Sequence, residues 1–424
     1  MFQILLNYKF MIKIEPFKEI NPPKNGYWIN KKNKQMYGGA YISPLLIPNL
    51  KRVEEGFKKA IKNKSFMKGL EEKLLTFIGV NTPILFSKEL TDIAGGQKKV
   101  GRIFLKRTDL HHDSSHKPVN AFSSCYMAKH ILKVKKIITE TGASMNARAV
   151  ASACALLNME CEVHIGAVDA EKVSLNKDIT ELYGAKIVVV HDSTKTLLPA
   201  MASALRSWQS SPDAMYVVGS VAGPHPYPQM VRTWASIIGR IAKKQFKQIT
   251  GKVPSTLFAV CGGGSNLMSM AYPLLKEKTV IFPVESAGEG ISTGKHGATI
   301  LGGGKMGILL GMKSRVVMHG AQIAESLTEA SGLDFSSLGP EVAYLHDIGR
   351  FKFRSSTDLE AKKTFLMCSQ KLGIIPAIEA CYVINSALKE IKKRKNPKEN
   401  HLIHLCGSGE SNVARMLKFK RENE

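Results

Sequence analysis

The stretch at residues 257–266 constrains the fold of this chain more than any other. It begins with apolar residues typical of a buried strand, breaks into three glycines, and continues into helix-forming residues. Glycines let backbone N–H groups converge on an anion without a Cβ in the way, and a following helix adds the positive end of its dipole. The segment therefore predicts a strand, a phosphate-binding loop and a helix, with a tight turn that binds no ligand as the alternative. The loop residues are Gly262, Gly263, Gly264, Ser265 and Asn266.

Hydrophobic patterning in the rest of the chain predicts an α/β fold. Residues 186–190, 215–219 and 279–284 are short apolar runs rich in β-branched side chains, which is typical of strands buried on both faces. Two longer stretches have helical periodicity: residues 147–157, which precede these runs, and residues 196–208, which lie between the first two. The alternation indicates parallel sheets covered by helices, and 424 residues with 44% apolar content suffice for two domains of ordinary size.

The chain is strongly basic, with 60 Lys and Arg residues against 35 Asp and Glu residues and a net charge of +25. Such a charge raises nucleic acid or an acidic membrane as partners. Its lysines, however, are spread along predicted amphipathic helices such as residues 52–64. The small clusters at residues 31–34 and 392–395 lack the interleaved aromatic residues of a single-strand-binding platform. We therefore expect no nucleic-acid partner.

The cysteines and the apolar start of the chain predict a cytoplasmic protein. Seven cysteines occur without a close pair at metal-site spacing, so we expect buried free thiols in a reducing compartment and no metal site. Residues 1–14 are interrupted by Lys9 and Lys13, lack a small-residue cleavage site and are too short to span a bilayer. We expect no membrane partner.

A lysine well upstream of the glycine loop is the candidate nucleophile. Lys117 follows His116 and precedes the apolar pair Pro118 and Val119. An amine becomes nucleophilic when burial or a cationic neighbour lowers its pKa, so Lys117 is a candidate Schiff-base residue. The alternative is a solvated surface charge.

The order and spacing of these motifs resemble the β chain of tryptophan synthase, a family of pyridoxal-phosphate (PLP) enzymes of fold type II. The resemblance covers the chain from about Tyr37 to Gly409. The motifs that carry it lie at residues 81–84, 105–110, 116–117, 140–143, 219–228, 262–266, 293–296, 332–335 and 373–379.

The resemblance implies two domains of doubly wound α/β sheets with PLP in the cleft between them. Residues 1–82 and 116–234 would form the N-terminal domain, including a mobile region at about 132–219 that closes over the substrate. Residues 83–115 and 235–424 would form the C-terminal domain with the phosphate-binding loop.

The resemblance also implies a role for each matched residue. Lys117 would form the Schiff base with PLP and move protons at Cα. Glu140 would be the acid/base carboxylate that assists departure of the β-hydroxyl, a task that requires burial to raise its pKa, and Asp334 would help close the site. The other residues implied to bind the cofactor are His116, Ser220, Gly262, Gly263, Gly264, Ser265, Asn266, Glu379 and Cys406. Those implied to bind substrate are Thr141, Gly142, Ala143, Ser144, Met145 and Asn146.

The chain departs from the family around the substrate. The family continues after position 143 with Gly-Gln-His-Gly, where this chain has residues 144–147 as Ser-Met-Asn-Ala. Replacing the two glycines restricts the turn if either position needs a positive φ. Cys406 replaces the serine that faces the pyridine nitrogen, as in serine dehydratases of the same fold. Leu309 and Leu310 stand where the family has an aromatic pair in its indole tunnel.

The function implied is that of a tryptophan synthase β chain, which converts L-serine and indole to L-tryptophan and water. The family forms an α2β2 complex through an α subunit and a β–β homodimer, and a monovalent cation tunes it. Two alternatives stay open. One is a diverged PLP lyase or synthase with another amino-acid substrate, and the other is a non-catalytic β-like subunit with a regulatory or binding role.

Overall fold

The computed structural model of the protein describes residues 19–142, 144–172, 174–320 and 322–423. Its strands are β1 (Tyr27–Ile29), β2 (Met36–Gly38), β3 (Ile84–Phe86), β4 (Arg102–Arg107), β5 (Lys136–Thr141), β6 (Glu160–Gly166), β7 (Lys186–Val190), β8 (Ala214–Val217), β9 (Thr256–Val260), β10 (Val280–Ser286), β11 (Lys305–Leu309), β12 (Met312–Val316), β13 (Met318–His319), β14 (Gln322–Ile323), β15 (Arg354–Ser356) and β16 (Asn400–Leu405).

The helices are α1 (Ile47–Lys62), α2 (Lys64–Lys73), α3 (Lys88–Ile93), α4 (Gln97–Val100), α5 (Lys117–Met127), α6 (Met145–Leu157), α7 (Ala167–Lys172), α8 (Ser174–Leu182), α9 (Leu197–Gln209), α10 (Tyr227–Ala235), α11 (Ile237–Thr250), α12 (Ser265–Ala271), α13 (Pro340–Asp347), α14 (Asp358–Leu372), α15 (Ile378–Arg394) and α16 (Val413–Glu422).

Two sheets carry the strands that end at the candidate site. The larger has the order β15-β10-β9-β16-β4-β3 and is parallel except for β3, which runs antiparallel to β4. The smaller has the order β7-β6-β5-β8 and is wholly parallel. The α/β fold predicted from the alternating pattern is confirmed.

The larger sheet combines early and late parts of the chain. Strands β3 and β4 lie beside β16, which pairs with β4 from Asn400 to Leu405. Residues 84–107 therefore share a sheet with strands from beyond residue 255. The division into domains at residues 82, 115 and 234 stays a prediction.

An antiparallel sheet of order β1-β2-β12-β11 and the short pair β13–β14 complete the strand pairing. One apolar core packs helices α1, α2, α5 and α6 against the smaller sheet, and a second fills the space between the larger sheet and α14 and α15. All seven cysteines are buried free thiols, as expected. In the part of the chain that the structure describes, no helix is both long and apolar enough to cross a membrane.

Two local expectations are corrected. The run at residues 186–190 is not buried on both faces, because β7 is the edge strand of its sheet and leaves Lys186 and Val189 exposed. The amphipathic segment 52–64 is not one helix. Asn63 adopts an extended backbone conformation that ends α1, and its side chain accepts the N–H of Phe66 to cap α2.

Candidate active site

A cavity of about 1240 Å³ lies where strands of the two parallel sheets end. Its walls include residues that follow β5, β8, β9 and β16 at their carboxyl ends. Ligands of open α/β sheets bind at this edge, where the loops that follow the strands converge.

The glycine loop after β9 is shaped by close contacts that exclude side chains. A Cβ on Gly263 would lie 2.2 Å from the Ser220 hydroxyl oxygen, and one on Gly262 would lie 3.0 Å from the carbonyl oxygen of Gly332. Gly264 has a φ of +99°, which favours glycine. Gly264 therefore requires glycine, and Gly262 and Gly263 leave little room for a side chain. Ser220 lies on the same wall of the cavity.

Lys117 begins α5 and points its amine at the cavity. Its Nζ donates to the carbonyl oxygen of Gly219 at 2.7 Å. Burial lowers the pKa of Lys117 to about 8, although the nearby carboxylates of Glu140 and Glu379 act in the opposite direction. A useful fraction of this amine is therefore uncharged near neutral pH.

Glu140 lies near the end of β5 on the same cavity. Burial raises the pKa of its carboxyl to about 7, and the nearby Tyr216 hydroxyl and Lys117 reduce the shift. The Oε2 atom of Glu140 is buried and has no hydrogen-bond partner. This carboxyl can both give and take a proton near neutrality, as the resemblance requires of it.

The loop after Glu140 places most of the predicted substrate-binding residues on the cavity wall. Thr141, Gly142, Met145 and Asn146 line it. Asn146 Nδ2 donates to Thr139 Oγ1 at 3.0 Å and to the Glu140 carbonyl oxygen at 3.1 Å, and its Oδ1 is buried without a partner.

Ser144 does not belong to the cavity wall that the structure describes, and Ala143 lies outside the described residues. The backbone of Ser144 has a φ of +58°, so serine here occupies a position that favours glycine. Ala147, the second residue that replaces a family glycine, lies inside α6 and needs no such freedom.

Asp334, Glu379 and Cys406 line the cavity on the side of the larger sheet. Asp334 follows a short turn, and Glu379 lies in the first turn of α15, where its Oε1 accepts the N–H of Gly332 at 3.0 Å. Burial raises the pKa of the Cys406 thiol, and the neighbouring Glu379 raises it further. The thiol therefore stays protonated and is a weak hydrogen-bond partner.

The ring of His116 contacts the last two residues of the glycine loop, Ser265 and Asn266. Its Nε2 lies 3.4 Å from Ser265 Oγ, and its Nδ1 lies 3.5 Å from Asn266 Nδ2. Burial holds the pKa of His116 well below its usual range, and Lys117 and His404 lower it further. The structure thus brings the adjacent residues His116 and Lys117 together with the glycine loop, which follows them by about 145 positions in the sequence.

Sequence reasoning missed His404, whose ring lies directly behind Asn266. The two side chains meet at 2.9 Å between His404 Nδ1 and Asn266 Oδ1. No local signal could have found it, because the contact joins the last residues of β16 to the start of α12 across 138 positions of the chain. The tunnel residues Leu309 and Leu310, in contrast, do not line the cavity in the described part of the chain.

These features fit PLP, the cofactor that the resemblance implies. The loop of three glycines lies on the cavity wall at the start of α12, where backbone N–H groups can converge on a phosphate. The buried amine of Lys117 is a candidate for covalent attachment of the cofactor. Glu140 Oε2 and Asn146 Oδ1 are buried and have no hydrogen-bond partner in the described chain, so each can accept a hydrogen bond from a bound molecule.

Comparison with known proteins agrees with this fit. A family model described as "Pyridoxal-phosphate dependent enzyme" matches residues 75–407.

Solved structures similar to this chain include an L-serine ammonia-lyase from the fungus Rhizomucor miehei (14% identity, 81% of this chain and 98% of that one, TM-score 0.61). A threonine deaminase of T.th. (18% identity, 85% and 97%, TM-score 0.59) and a serine racemase of maize (13% identity, 85% and 99%, TM-score 0.61) are also similar. At these identities the likeness shows the fold alone.

Proposed function

Because the chain belongs to the family of pyridoxal-phosphate dependent enzymes, we propose that it is a PLP-dependent lyase acting on a small β-hydroxy amino acid. The observation that carries the proposal is the pairing of Lys117 and Glu140 on one cavity. Their pKa values of about 8 and about 7 are both shifted toward neutrality. Groups tuned in this way are typical of acid–base catalysis.

Lys117 is the base in this proposal. The chemistry that PLP supplies when bound is an electron sink for the electron pair left at the substrate Cα. Lys117 would hold the cofactor and take the Cα proton on its neutral amine. Its lowered pKa lets it accept that proton and release it again near neutral pH.

Glu140 is the acid. Its proton would pass to the β-hydroxyl oxygen, so that the C–O bond breaks and water leaves. The pKa of about 7 keeps a large fraction of the carboxyl protonated at neutral pH, which a normal glutamate would not allow. With L-serine the balanced outcome is pyruvate and ammonia, because the water lost in elimination is taken up again by hydrolysis of the imine.

The remaining residues bind and orient. His116, Ser220 and the loop Gly262–Asn266 would hold the cofactor phosphate, and the backbone of the loop that begins with Thr141 and Gly142 would hold the substrate carboxylate. The identity of residue 406 favours the lyase proposal, because serine dehydratases of the same fold also have a cysteine at this position. Two of the structurally similar proteins are an L-serine ammonia-lyase and a threonine deaminase.

A second candidate is β-replacement of L-serine by indole, the tryptophan synthase reaction. It is favoured by the sequence motifs around Glu140 and Asp334 and by a cavity of about 1240 Å³ with Phe335 on its wall, which leaves room for an aromatic second substrate. An α subunit, a β–β homodimer and a monovalent cation belong to this candidate.

The test is a product assay of the purified, PLP-loaded protein with L-serine or L-threonine, each alone and with indole. Formation of the 2-oxo acid from the amino acid alone supports elimination, and L-tryptophan formed only with indole selects the second candidate. Lys117→Ala should abolish both activities. If neither substrate changes the cofactor absorbance or yields a product, the non-catalytic alternative replaces both proposals.

A further inference from the structure

A buried tyrosine lies beside the candidate acid Glu140 on the smaller sheet. Strands β5 and β8 are parallel neighbours, and Tyr216 on β8 is paired with Ile138 on β5. Glu140 follows Ile138 by two positions, so its side chain and that of Tyr216 lie on the same face of the sheet. Tyr216 is buried and does not line the cavity in the described part of the chain. Any effect of Tyr216 on the substrate is therefore indirect and passes through Glu140.

The ring of Tyr216 is held in place by two other aromatic side chains. Trp208 on α9 and Tyr227 on α10 contact it, each with a distance of 5.7 Å between the ring centroids. All three side chains are buried. The Tyr216 hydroxyl is thus fixed in position before any substrate binds, so no reorganisation is needed when charge develops on Glu140.

The Tyr216 hydroxyl and the Glu140 carboxyl are neighbouring buried groups that lack other partners. Neither the Tyr216 hydroxyl oxygen nor Glu140 Oε2 has a hydrogen-bond partner within the chain that the structure describes. Burial raises the pKa of both groups. Beyond that, the hydroxyl lowers the pKa of the carboxyl and the carboxyl raises the pKa of the hydroxyl, because the two lie close together. A hydrogen bond between them would satisfy both atoms, and leaving buried polar atoms unpaired is costly.

The hydroxyl is the donor in this bond once Glu140 is charged. A carboxylate has no proton and only accepts, whereas the raised pKa of Tyr216 keeps its hydroxyl protonated at neutral pH. A hydrogen bond to an ionised acceptor is about twice as strong as one between neutral groups. The contact therefore favours the charged form of Glu140, which is the form left behind when Glu140 gives up its proton.

Two further titratable groups lie near Glu140. Lys117 acts on Glu140 through its charge, and its Nζ donates to the carbonyl oxygen of Gly219 at 2.7 Å. The Tyr227 hydroxyl is near enough for Glu140 to raise its pKa further after burial has raised it, but it donates its only proton to the carbonyl oxygen of Tyr216 at 2.6 Å. Of the two tyrosines, Tyr216 is therefore the one whose hydroxyl proton is available to Glu140.

The charged groups on the elements packed against β5 have partners of their own. His164 on β6 is paired with Glu140, but its ring nitrogens lie 3.0 Å from Glu162 Oε1 and Ser203 Oγ. Helices α6 and α9 also pack on β5, and each has one charged residue. These residues and their partners are Arg148 with Asp113 and Arg206 with Asp192.

We propose that Tyr216 is a positioning residue that acts through Glu140. Its hydroxyl donates a hydrogen bond to the Glu140 carboxylate as the proton of Glu140 passes to the β-hydroxyl oxygen of the substrate. The C–O bond breaks, water leaves, and Tyr216 keeps its own proton throughout. This inference rests on the proposed function, in which Glu140 is the acid.

The first test removes the hydroxyl and measures the titration of Glu140. Tyr216→Phe keeps the ring that packs against Trp208 and Tyr227. We expect the pKa of Glu140 to rise by about one unit, because a hydrogen bond to its charged form is lost. The measurement is the infrared band of the protonated Glu140 carboxyl in the PLP-loaded protein, identified by its absence in Glu140→Gln and followed with pH. An unchanged midpoint in Tyr216→Phe would overturn the inference.

The same variant should slow turnover without weakening substrate binding. With L-serine we expect kcat of Tyr216→Phe to fall about tenfold and KM to change by less than about twofold, because the contact matters only once the proton is leaving Glu140. A purely structural role would lower stability without this split between kcat and KM. An unchanged kcat, or an effect confined to KM, would contradict the role of Tyr216.

Tyr227→Phe is the matched control, since it removes a buried hydroxyl whose proton already serves the Tyr216 carbonyl oxygen. It should lower stability and leave both kcat and the pKa of Glu140 unchanged. A failure of the proposed function is recognised separately, because the wild type would then form no product from L-serine or L-threonine, and the inference would fall with it. Equal rates of product formation by the wild type and by Tyr216→Phe would overturn the inference alone.

Discussion

At the scale of one residue, the burial of Glu140 gives the site a carboxyl that titrates near neutral pH and lowers the stability of the fold when that carboxyl is charged. Its carboxyl is buried with an unpaired oxygen, and its pKa is raised from 4.5 to about 7. Between these values the folded protein keeps a proton that the unfolded chain has lost. The free energy of unfolding therefore falls as the pH rises from about 4.5 to about 7.

Glu140→Gln should reverse that loss while removing the acid. Above about pH 8 we expect the variant to be more stable than the wild type by on the order of 3 kcal/mol, with little difference at about pH 4, because glutamine has no charge to bury. Its turnover number should fall by about 10²- to 10⁴-fold. Urea unfolding at both pH values and a product assay measure the two effects. Equal stability at high pH would show that the carboxyl ionises without cost.

Ser144 carries a different cost, since its φ of +58° is unfavourable for a residue with a Cβ. We expect Ser144→Gly to raise the free energy of unfolding by about 1 kcal/mol relative to Ser144→Ala. Both variants lose the buried, unpartnered hydroxyl, so their difference reports the backbone alone. Urea unfolding of the two proteins decides the matter, and identical midpoints would show that the loop relaxes around the side chain.

At the scale of elements, an ion pair ties the turn before Lys117 to the helices that follow Glu140. Arg148 on α6 donates from Nε to Asp113 Oδ1 at 2.8 Å, and the Tyr183 hydroxyl donates to the same oxygen at 3.1 Å from the residue after α8. The Asp113 side chain is 1% exposed. Its charge is thus held between three segments of the chain.

Removing one partner of this pair should cost more than removing both. Arg148→Met leaves a buried carboxylate without its cation, and we expect the free energy of unfolding to fall by on the order of 3 kcal/mol. The double variant Arg148→Met with Asp113→Asn should recover part of that loss, because asparagine carries no charge and tolerates the φ of +56° at this position. A double-mutant cycle measured by urea unfolding gives the coupling. Additive losses would mean that the pair does not hold the segments together.

At the scale of the whole molecule, the net charge of +25 sets how stability depends on salt. Like charges spread over one surface repel one another, and salt screens that repulsion. We expect Tm to rise by a few degrees between about 10 mM and about 0.3 M sodium chloride.

A charge reversal provides the control for this prediction. Lys31 is exposed in the basic cluster at residues 31–34. Lys31→Glu should raise Tm at low salt and lose that advantage at high salt. A Tm that falls with salt in the wild type would instead show that favourable ion pairs outweigh the net repulsion.

The alternation of strands and helices, the glycine loop and the order of the motifs can all be read from the amino-acid sequence. These depend on local properties: side-chain periodicity, the absence of a Cβ, and spacing along the chain. The glycine loop after β9 and the lysine at the start of α5 are accordingly predictable from their own residues, whereas the glutamate near the end of β5 is predictable only from the family resemblance. The same local signals mistook the edge strand β7 for a buried one, since the position of a strand in its sheet is not written in its own residues.

The surroundings of each of these groups depend on how the chain packs. The pKa values of Lys117 and Glu140 come from burial by segments distant in sequence. The partner of Asn266 comes from β16, 138 positions further along the chain. The strain at Ser144 and its place off the cavity wall also follow from packing. Desolvation and hydrogen bonding depend on distances in space, and distances of this kind are fixed only when the sheets and helices have packed.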